Sequence, residues 1–183
     1  MAEWKIENIV VSVTLNVHIP LEKLSAELPN TEYNPEHFPG LVLRIKNSKG
    51  KVISSLVFRS GKLIITGARS MEEIKDALKK IIEHLEKIGI KVTGKPEIEV
   101  QNMVASGKLD FNVNLEEMIE KLENVEYEPE QFPGLVYKIP GIRATFLIFK
   151  NGKIVCTGAK SEKEIEESIK MLEKKLKEAG VVS

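Results

Sequence analysis

The sequence predicts an α+β protein of two pseudo-twofold-related repeats, each a layer of antiparallel strands backed on one side by a short and a long helix. Three observations carry that expectation. The phrase EYNPEHFPGLVLRI at residues 32–45 returns as EYEPEQFPGLVYKI at 126–139, with ten of fourteen positions identical. Short segments alternate apolar and polar residues with the period of two that strands impose. Two longer segments, after TGAR and TGAK, carry apolar residues at three- and four-residue spacing, the mark of a helix with one buried side.

With the shared phrase aligned, the rest of the chain falls into register. ENIVVSVTLNVHIPLEKLSAEL (7–28) answers QNMVASGKLDFNVNLEEMIEKL (101–122), and GKLIITGARSMEEI (61–74) answers GKIVCTGAKSEKEI (152–165). The expected division is 1–92 for the first repeat and 93–183 for the second, joined as one domain. Two copies of this length make one pseudosymmetric body, because a solenoid needs three or more.

In the first copy, residues 5–17 alternate as a strand. Pro20 suits a first helical position, and Leu21, Leu24 and Leu28 give a short helix its apolar side. Residues 40–46, 52–59 and 62–68 read as strands, with RSGK and, in the second copy, KNGK as hairpin turns. Ser70 caps a helix that runs to about Ile88, with Ile74, Leu78, Ile81, Leu85 and Ile88 on one side. The second copy repeats it from Ser161 with Ile165, Ile169, Leu172 and Leu176, and Gly89 and Gly180 end the two helices. The connection KNSKGK is three residues longer than its counterpart.

The chain has 183 residues, 42% apolar and 30% charged, and its net charge is zero. Its apolar runs are too short to cross a bilayer, so no membrane partner is expected. A single cysteine, Cys156, excludes an internal disulfide. The opening MAEWKIENIVV has no apolar signal core, and the expected compartment is the cytoplasm, or the nucleus if the source has one. The zero net charge hides a segregation. Arg44, Lys46, Lys49, Lys51, Arg59, Lys62 and Arg69 lie between Gly40 and Ser70 with no acid among them, and Lys138, Arg143, Lys150, Lys153 and Lys160 do the same after Gly134. Acids gather in the helices. The halves differ as well: residues 1–92 hold 14 basic and 11 acidic residues (+3), and residues 93–183 hold 13 and 16 (−3).

Alternation places Val11, Val13, Leu15, Val17, Leu41, Leu43, Ile45, Val57, Leu63 and Ile65 under the helices. The other face then carries Asn8, Val10, Ser12, Val42, Arg44, Leu56, Phe58, Ile64 and Thr66, and in the second copy Asn102, Val104, Ser106, Val136, Lys138, Leu147, Phe149, Val155 and Thr157. Two helices per repeat cover one face, so a largely apolar strip with a basic border is left over. Such a patch marks a binding surface, or else two copies of the chain bury it in a homodimer.

Duplex DNA entered from the minor groove suits such a strip. A·T pairs offer only acceptors there, which Asn amides and Thr hydroxyls can meet as donors, while Val and Ile methyls lie on a floor free of the guanine amine. The groove must be widened for a sheet to enter. Apolar wedges between base steps widen it, and Phe38, Phe58, Phe132 and Phe149 are the candidates. Basic residues at the border would hold phosphates.

The paired YNPEHFPG/YEPEQFPG, the SGK/NGK turns and TGARS/TGAKS resemble the core of the TATA-box-binding protein family, over nearly the whole chain and in its archaeal form. The resemblance implies a saddle, with a curved ten-stranded antiparallel sheet and four helices on its convex face. It implies that Asn8 and Asn102 donate to central bases with Thr66 and Thr157, and that Val10, Val104, Ile64 and Val155 lie on the groove floor near Leu56 and Leu147. Phe38 with Phe58 and Phe132 with Phe149 become intercalating pairs. Arg44, Lys62, Arg69, Lys138, Lys153 and Lys160 take phosphate positions. The family further implies that transcription factor B docks near Glu128, Glu130 and Gln131 and that RNA polymerase is recruited through it. The longer KNSKGK connection is expected to enlarge the first stirrup.

Enzyme chemistry has little support. His18, His37 and His84 recur nowhere in the other copy, no His/Cys/Asp spacing suits a metal, and Gly-Lys in SKGK and SGKL lacks phosphate-loop spacing. Cys156 has the parity of a small core residue. No cofactor is expected. The remaining alternative is a duplicated α/β module whose sheet binds a protein or an RNA–DNA hybrid.

Overall fold

The computed structural model describes residues 2–183. Ten strands and four helices follow one another as β1 (Glu3–Thr14), α1 (Leu21–Glu27), β2 (Thr31–Glu32), β3 (Leu41–Lys46), β4 (Val52–Val57), β5 (Lys62–Ala68) and α2 (Met71–Lys87), then β6 (Glu97–Lys108), α3 (Leu115–Lys121), β7 (Val125–Glu126), β8 (Leu135–Lys138), β9 (Thr145–Ile148), β10 (Lys153–Ala159) and α4 (Glu162–Ala179). The hydrogen-bonded strand order is β2-β3-β4-β5-β1-β6-β10-β9-β8-β7, so the α+β class and the ten-stranded antiparallel sheet are present as expected. The chain packs as two compact units. One is Asn8–Gln101, and the other joins residues up to Glu7 to Asn102–Ser183.

In the first unit, Val11, Val13, Leu41, Leu43, Ile45, Ile53, Val57, Leu63 and Ile65 are buried together with Leu21 and Leu24 of α1 and Ile74, Ala77, Leu78, Ile81 and Leu85 of α2. The second unit buries Ala105, Leu135, Tyr137, Phe146, Ile148, Ile154 and Cys156 with Leu115, Met118, Ile165, Ile169, Leu172 and Leu176. Burial alternates residue by residue along β3 and β4, and along β5 as far as Thr66, as the sequence pattern requires when helices cover one face only.

The long helices start where expected. The Ser70 hydroxyl accepts from Glu73 N at 3.2 Å, and that of Ser161 accepts from Glu164 N at 3.1 Å. The carboxylates of Glu73 and Glu164 reach back to the backbone N–H groups of Arg69 and Lys160, each at 3.1 Å, so both turns are tied in two directions. Ser161→Ala is expected to cost about 1 kcal/mol and to lower the melting temperature by about 2–4 °C in a thermal scan.

Three expectations need correction. Pro20 stands just outside α1 at its N-cap, with its carbonyl accepting from Leu24 N at 3.1 Å, and the helix begins at Leu21. Val17 is only half-buried, because regular pairing of β1 ends at Thr14 and Ile19 fills the core from the following turn. The extra residues of KNSKGK form the turn between β3 and β4, at the opposite end of β3 from Phe38, so they do not enlarge the loop that carries that ring. Asn47 closes this turn by accepting from Lys49 N and Lys51 N, and Lys51 pairs with Glu73 of α2 at 3.2 Å.

Candidate nucleic-acid interface

On the face away from the helices, each unit carries the same two rows. In the first unit, cross-strand pairing lines up Val42, Leu56, Ile64 and Ser12 across β3, β4, β5 and β1. Beside them run Arg44, Ser54 and Thr66. In the second unit the rows are Val136, Leu147, Val155 and Ser106, with Lys138, Thr145 and Thr157 alongside. None of these is buried. The apolar members are half-buried, and Arg44 and Lys138 are exposed. Val10 and Val104 are half-buried too. Ser54 and Thr145 were not among the expected site residues, although the alternation of their own strands puts them on this face.

Asn8 and Asn102 are held by a device that the sequence pattern did not disclose. The β1/β5 ladder shifts register between Ile9 and Val11, and the β10/β6 ladder shifts between Cys156 and Ala159. Gly67 and Gly158 lie in the two irregular stretches with φ of +102° and +97°, a conformation that favours glycine. The bulge turns the Gly67 N–H onto Asn8 Oδ1 at 2.7 Å, and the Gly158 N–H onto Asn102 Oδ1 at the same distance. A backbone N–H can only donate, so this bond fixes which amide atom is oxygen. Nδ2 of Asn8 then donates to Thr66 Oγ1 at 3.2 Å, and Nδ2 of Asn102 donates to Thr157 Oγ1 at 3.2 Å. Each amide keeps a second N–H, and Thr157 keeps its own O–H, whereas the Thr66 O–H also donates to Asn8 Oδ1 at 3.4 Å. Both pairs can therefore present hydrogen-bond donors outward. The repeated Thr-Gly in TGAR and TGAK was the available signal.

At the edge of each unit stands a pair of phenyl rings. Phe38 and Phe58 meet edge to face with centroids 5.9 Å apart, and Phe132 and Phe149 do the same at 5.8 Å. Phe38 and Phe132 are 44% and 45% exposed, a large apolar area to leave in water. The Phe-Pro-Gly phrase has a steric reason. A Cβ on Gly40 would stand 2.7 Å from Phe38 Cε2 and 3.1 Å from Phe58 Cε1, and one on Gly134 would stand 2.7 Å from Phe132 Cε2. Glycine makes room for the rings to meet.

Lys62, Arg69 and Lys153 are exposed, and Lys160 is half-buried. Arg44 lies 3.5 Å from Glu32. Arg59, next to Phe58, is gripped by both Glu22 oxygens at 2.7 and 2.9 Å, and this guanidinium holds the Glu22 carboxyl down to about 2. Glu128, Glu130 and Gln131 are exposed on the loop before β8, where the Glu128 carbonyl accepts from Gln131 N and Phe132 N at 3.0 Å. Cys156 is buried, and burial, helped by Glu164, pushes its thiol up to about 11. Among the described residues no group of three or more His, Cys, Asp or Glu is placed to hold a metal, and no helix is long and apolar enough to cross a membrane.

Comparison with known proteins agrees with this geometry. The family model described as "Transcription factor TFIID (or TATA-binding protein, TBP)" matches residues 3–88 and again 97–179. A TATA-box-binding protein of Pyrobaculum calidifontis is 48% identical over 179 residues, covering 98% of this chain and 88% of that protein. One from Thermococcus kodakarensis is 47% identical over 178 residues, covering 97% and 92%. The solved structure titled Methanococcus jannaschii TBP superposes with a TM-score of 0.89 at 47% identity, over 96% of this chain and 99% of that one. With both repeats matched by one model and archaeal relatives nearly half identical from end to end, the chain belongs to the TATA-box-binding protein family.

Proposed function

We propose that the protein initiates transcription by binding A/T-rich TATA-box DNA through the minor groove, bending it with its phenylalanine pairs, and presenting a docking surface for transcription factor B, through which RNA polymerase is recruited. The observation that carries this reading is the donor-presenting Asn–Thr pair set beside a half-open apolar row in each unit. The minor groove of A·T pairs is lined by acceptors alone, and a G·C pair adds a donor amine. A surface of donors and methyls matches the first and leaves the guanine amine facing apolar groups or other donors. In the proposed complex Asn8, Asn102, Thr66 and Thr157 read the groove edge. Val10, Val104, Ile64, Val155, Leu56 and Leu147 lie on its floor, and Phe38, Phe58, Phe132 and Phe149 enter base steps. Arg44, Lys62, Arg69, Lys138, Lys153 and Lys160 neutralise phosphates.

The test is competition between an A·T-rich duplex and the same duplex with central G·C pairs, at two salt concentrations. The A·T duplex is expected to bind at least tenfold better, since each unsuitable pair costs about 1–3 kcal/mol. Both affinities are expected to fall as salt rises. Equal affinity for the two duplexes would refute minor-groove reading.

Partner docking has its own test. Glu130 is exposed on the loop that carries Phe132, and its reversal to arginine inverts the charge there. Glu130→Arg is expected to weaken assembly with transcription factor B on DNA by about tenfold or more, as rim charges do when reversed, with binary DNA binding kept. Unchanged ternary assembly in a gel shift would remove this residue from the docking surface.

A further inference from the structure

We propose that Arg59 is a positioning residue that braces the first phenylalanine pair from behind, so that Phe38 and Phe58 are set before DNA arrives, whereas Phe132 and Phe149 lack such a brace. The proposal rests on the minor-groove reading above. Arg59 directly follows Phe58, in the turn between β4 and β5. Its Nη1 and Nη2 donate to the two Glu22 oxygens of α1 at 2.9 and 2.7 Å, and Nη2 also donates to the Tyr33 hydroxyl at 3.1 Å. Tyr33 opens the loop that carries Phe38, where the Asn34 carbonyl accepts from Phe38 N at 3.0 Å. One guanidinium therefore ties both ring-bearing segments to each other and to a helix.

The second unit keeps the backbone of this arrangement without the brace. With the two copies aligned, Glu22 corresponds to Glu116, Tyr33 to Tyr127 and Arg59 to Lys150. Ile19 N donates to the Arg59 carbonyl at 2.9 Å, and Val113 N donates to that of Lys150 at 3.0 Å. Phe132 N donates to the Glu128 carbonyl at 3.0 Å, as Phe38 N does to that of Asn34. The side chains differ. Among the described residues no ion pair joins Lys150 to Glu116, and no hydrogen bond joins it to Tyr127. An ammonium is a point charge and lacks the rigid fork with which a guanidinium grips two oxygens.

The brace acts on geometry more than on stability. The Arg59 and Glu22 side chains are 46% and 64% exposed, and an ion pair that open to water contributes little to folding. A forked contact with a third bond nonetheless fixes direction. Groups ordered before contact spare a complex the cost of ordering them on binding. The Arg59 guanidinium holds the Glu22 carboxyl down to about 2, so the pair is lost only as pH falls toward that value.

Hydrogen exchange in the free protein tests the brace. The Phe38 amide is expected to be about two- to fivefold better protected than the Phe132 amide, the range that an exposed ion-pair network supports. Arg59→Lys keeps the charge, loses the fork and is expected to bring the two amides together, with its melting temperature as the check on folding. In titrations, Arg59→Ala is expected to bind an A·T-rich duplex about two- to fivefold more weakly, through lost ordering of the rings. Glu22→Arg with Arg59→Glu reverses the pair and is expected to recover the native affinity. An Arg59 that held a phosphate would give the opposite result, because a glutamate in its place repels the DNA backbone. Equal protection of the two amides in the native protein, unchanged protection of Phe38 in Arg59→Lys, or a reversed pair that binds no better than Arg59→Ala would each overturn the proposal. Exchange is measured without DNA, so equal binding to A·T and G·C cores would overturn the minor-groove reading and leave the brace standing.

Discussion

Asn8→Asp is expected to weaken binding to an A·T-rich duplex by about 100-fold or more, although it changes one NH2 group to oxygen and nothing in size. The Gly67 N–H would still donate to one carboxylate oxygen, as it does to Asn8 Oδ1 at 2.7 Å, so the fold keeps its bond. The second oxygen takes the place of Nδ2, which now donates to Thr66 Oγ1. The Thr66 hydroxyl, which already donates to Asn8 Oδ1 at 3.4 Å, would be held inward by the carboxylate. The outward N–H of the amide vanishes, and a negative charge faces a groove of acceptors. Losing that hydrogen bond and leaving a desolvated charge costs about 3 kcal/mol or more, which is two decades in affinity. Titration of a labelled duplex measures it. Binding within threefold of the native protein would mean that Asn8 does not face the bases. Asn102→Asp is expected to behave alike, through Gly158 and Thr157.

Phe149→Ala is expected to straighten the bound DNA as well as loosen it. Phe149 is the half-buried partner of the edge-to-face pair, and Phe132 leans on it at 5.8 Å. Removing it deletes one wedge and the support of the other. Holding a base step open costs a few kcal/mol, which the inserted ring must offset. The expected loss is about 2–3 kcal/mol, or 30- to 100-fold in affinity. Lys153→Ala, in the same unit, removes a charge without touching the rings. It is expected to lower affinity several-fold and to reduce the slope of log K against log salt by about 1, with the bend preserved. Energy transfer between dyes at the two ends of the duplex separates the cases. A Phe149→Ala complex as bent as the native one would take the wedge role away from this ring.

The layering of each unit was legible because strand alternation is a strict period. Every residue that the pattern put on the open face, from Asn8 to Thr66 and from Asn102 to Thr157, is half-buried or exposed, while Val11, Val13, Leu63 and Ile65 are buried between them. The repeat made the second unit readable from the first. What escaped depends on geometry that local patterns do not encode. Strands β2 and β7 are two residues long and exist through their partners β3 and β8. The local pattern sets Pro20 one position too far into its helix, and only the bond from Leu24 N to the Pro20 carbonyl decides. Gly67 and Gly158 read as turn-like residues within apparent strands. Their part in orienting Asn8 and Asn102 emerges only when β5 meets β1 and β10 meets β6.

The way the chain is shared between its two units bears on how such a protein could arise. Residues up to Glu7 belong with Asn102–Ser183, and the stretch up to Gln101 belongs with the unit that starts at Asn8. Each half of the gene thus encodes the opening strand segment of the other half's body. A single copy expressed alone could complete itself only by trading that segment with a second identical molecule. Two separately expressed fragments would therefore need each other to become ordered.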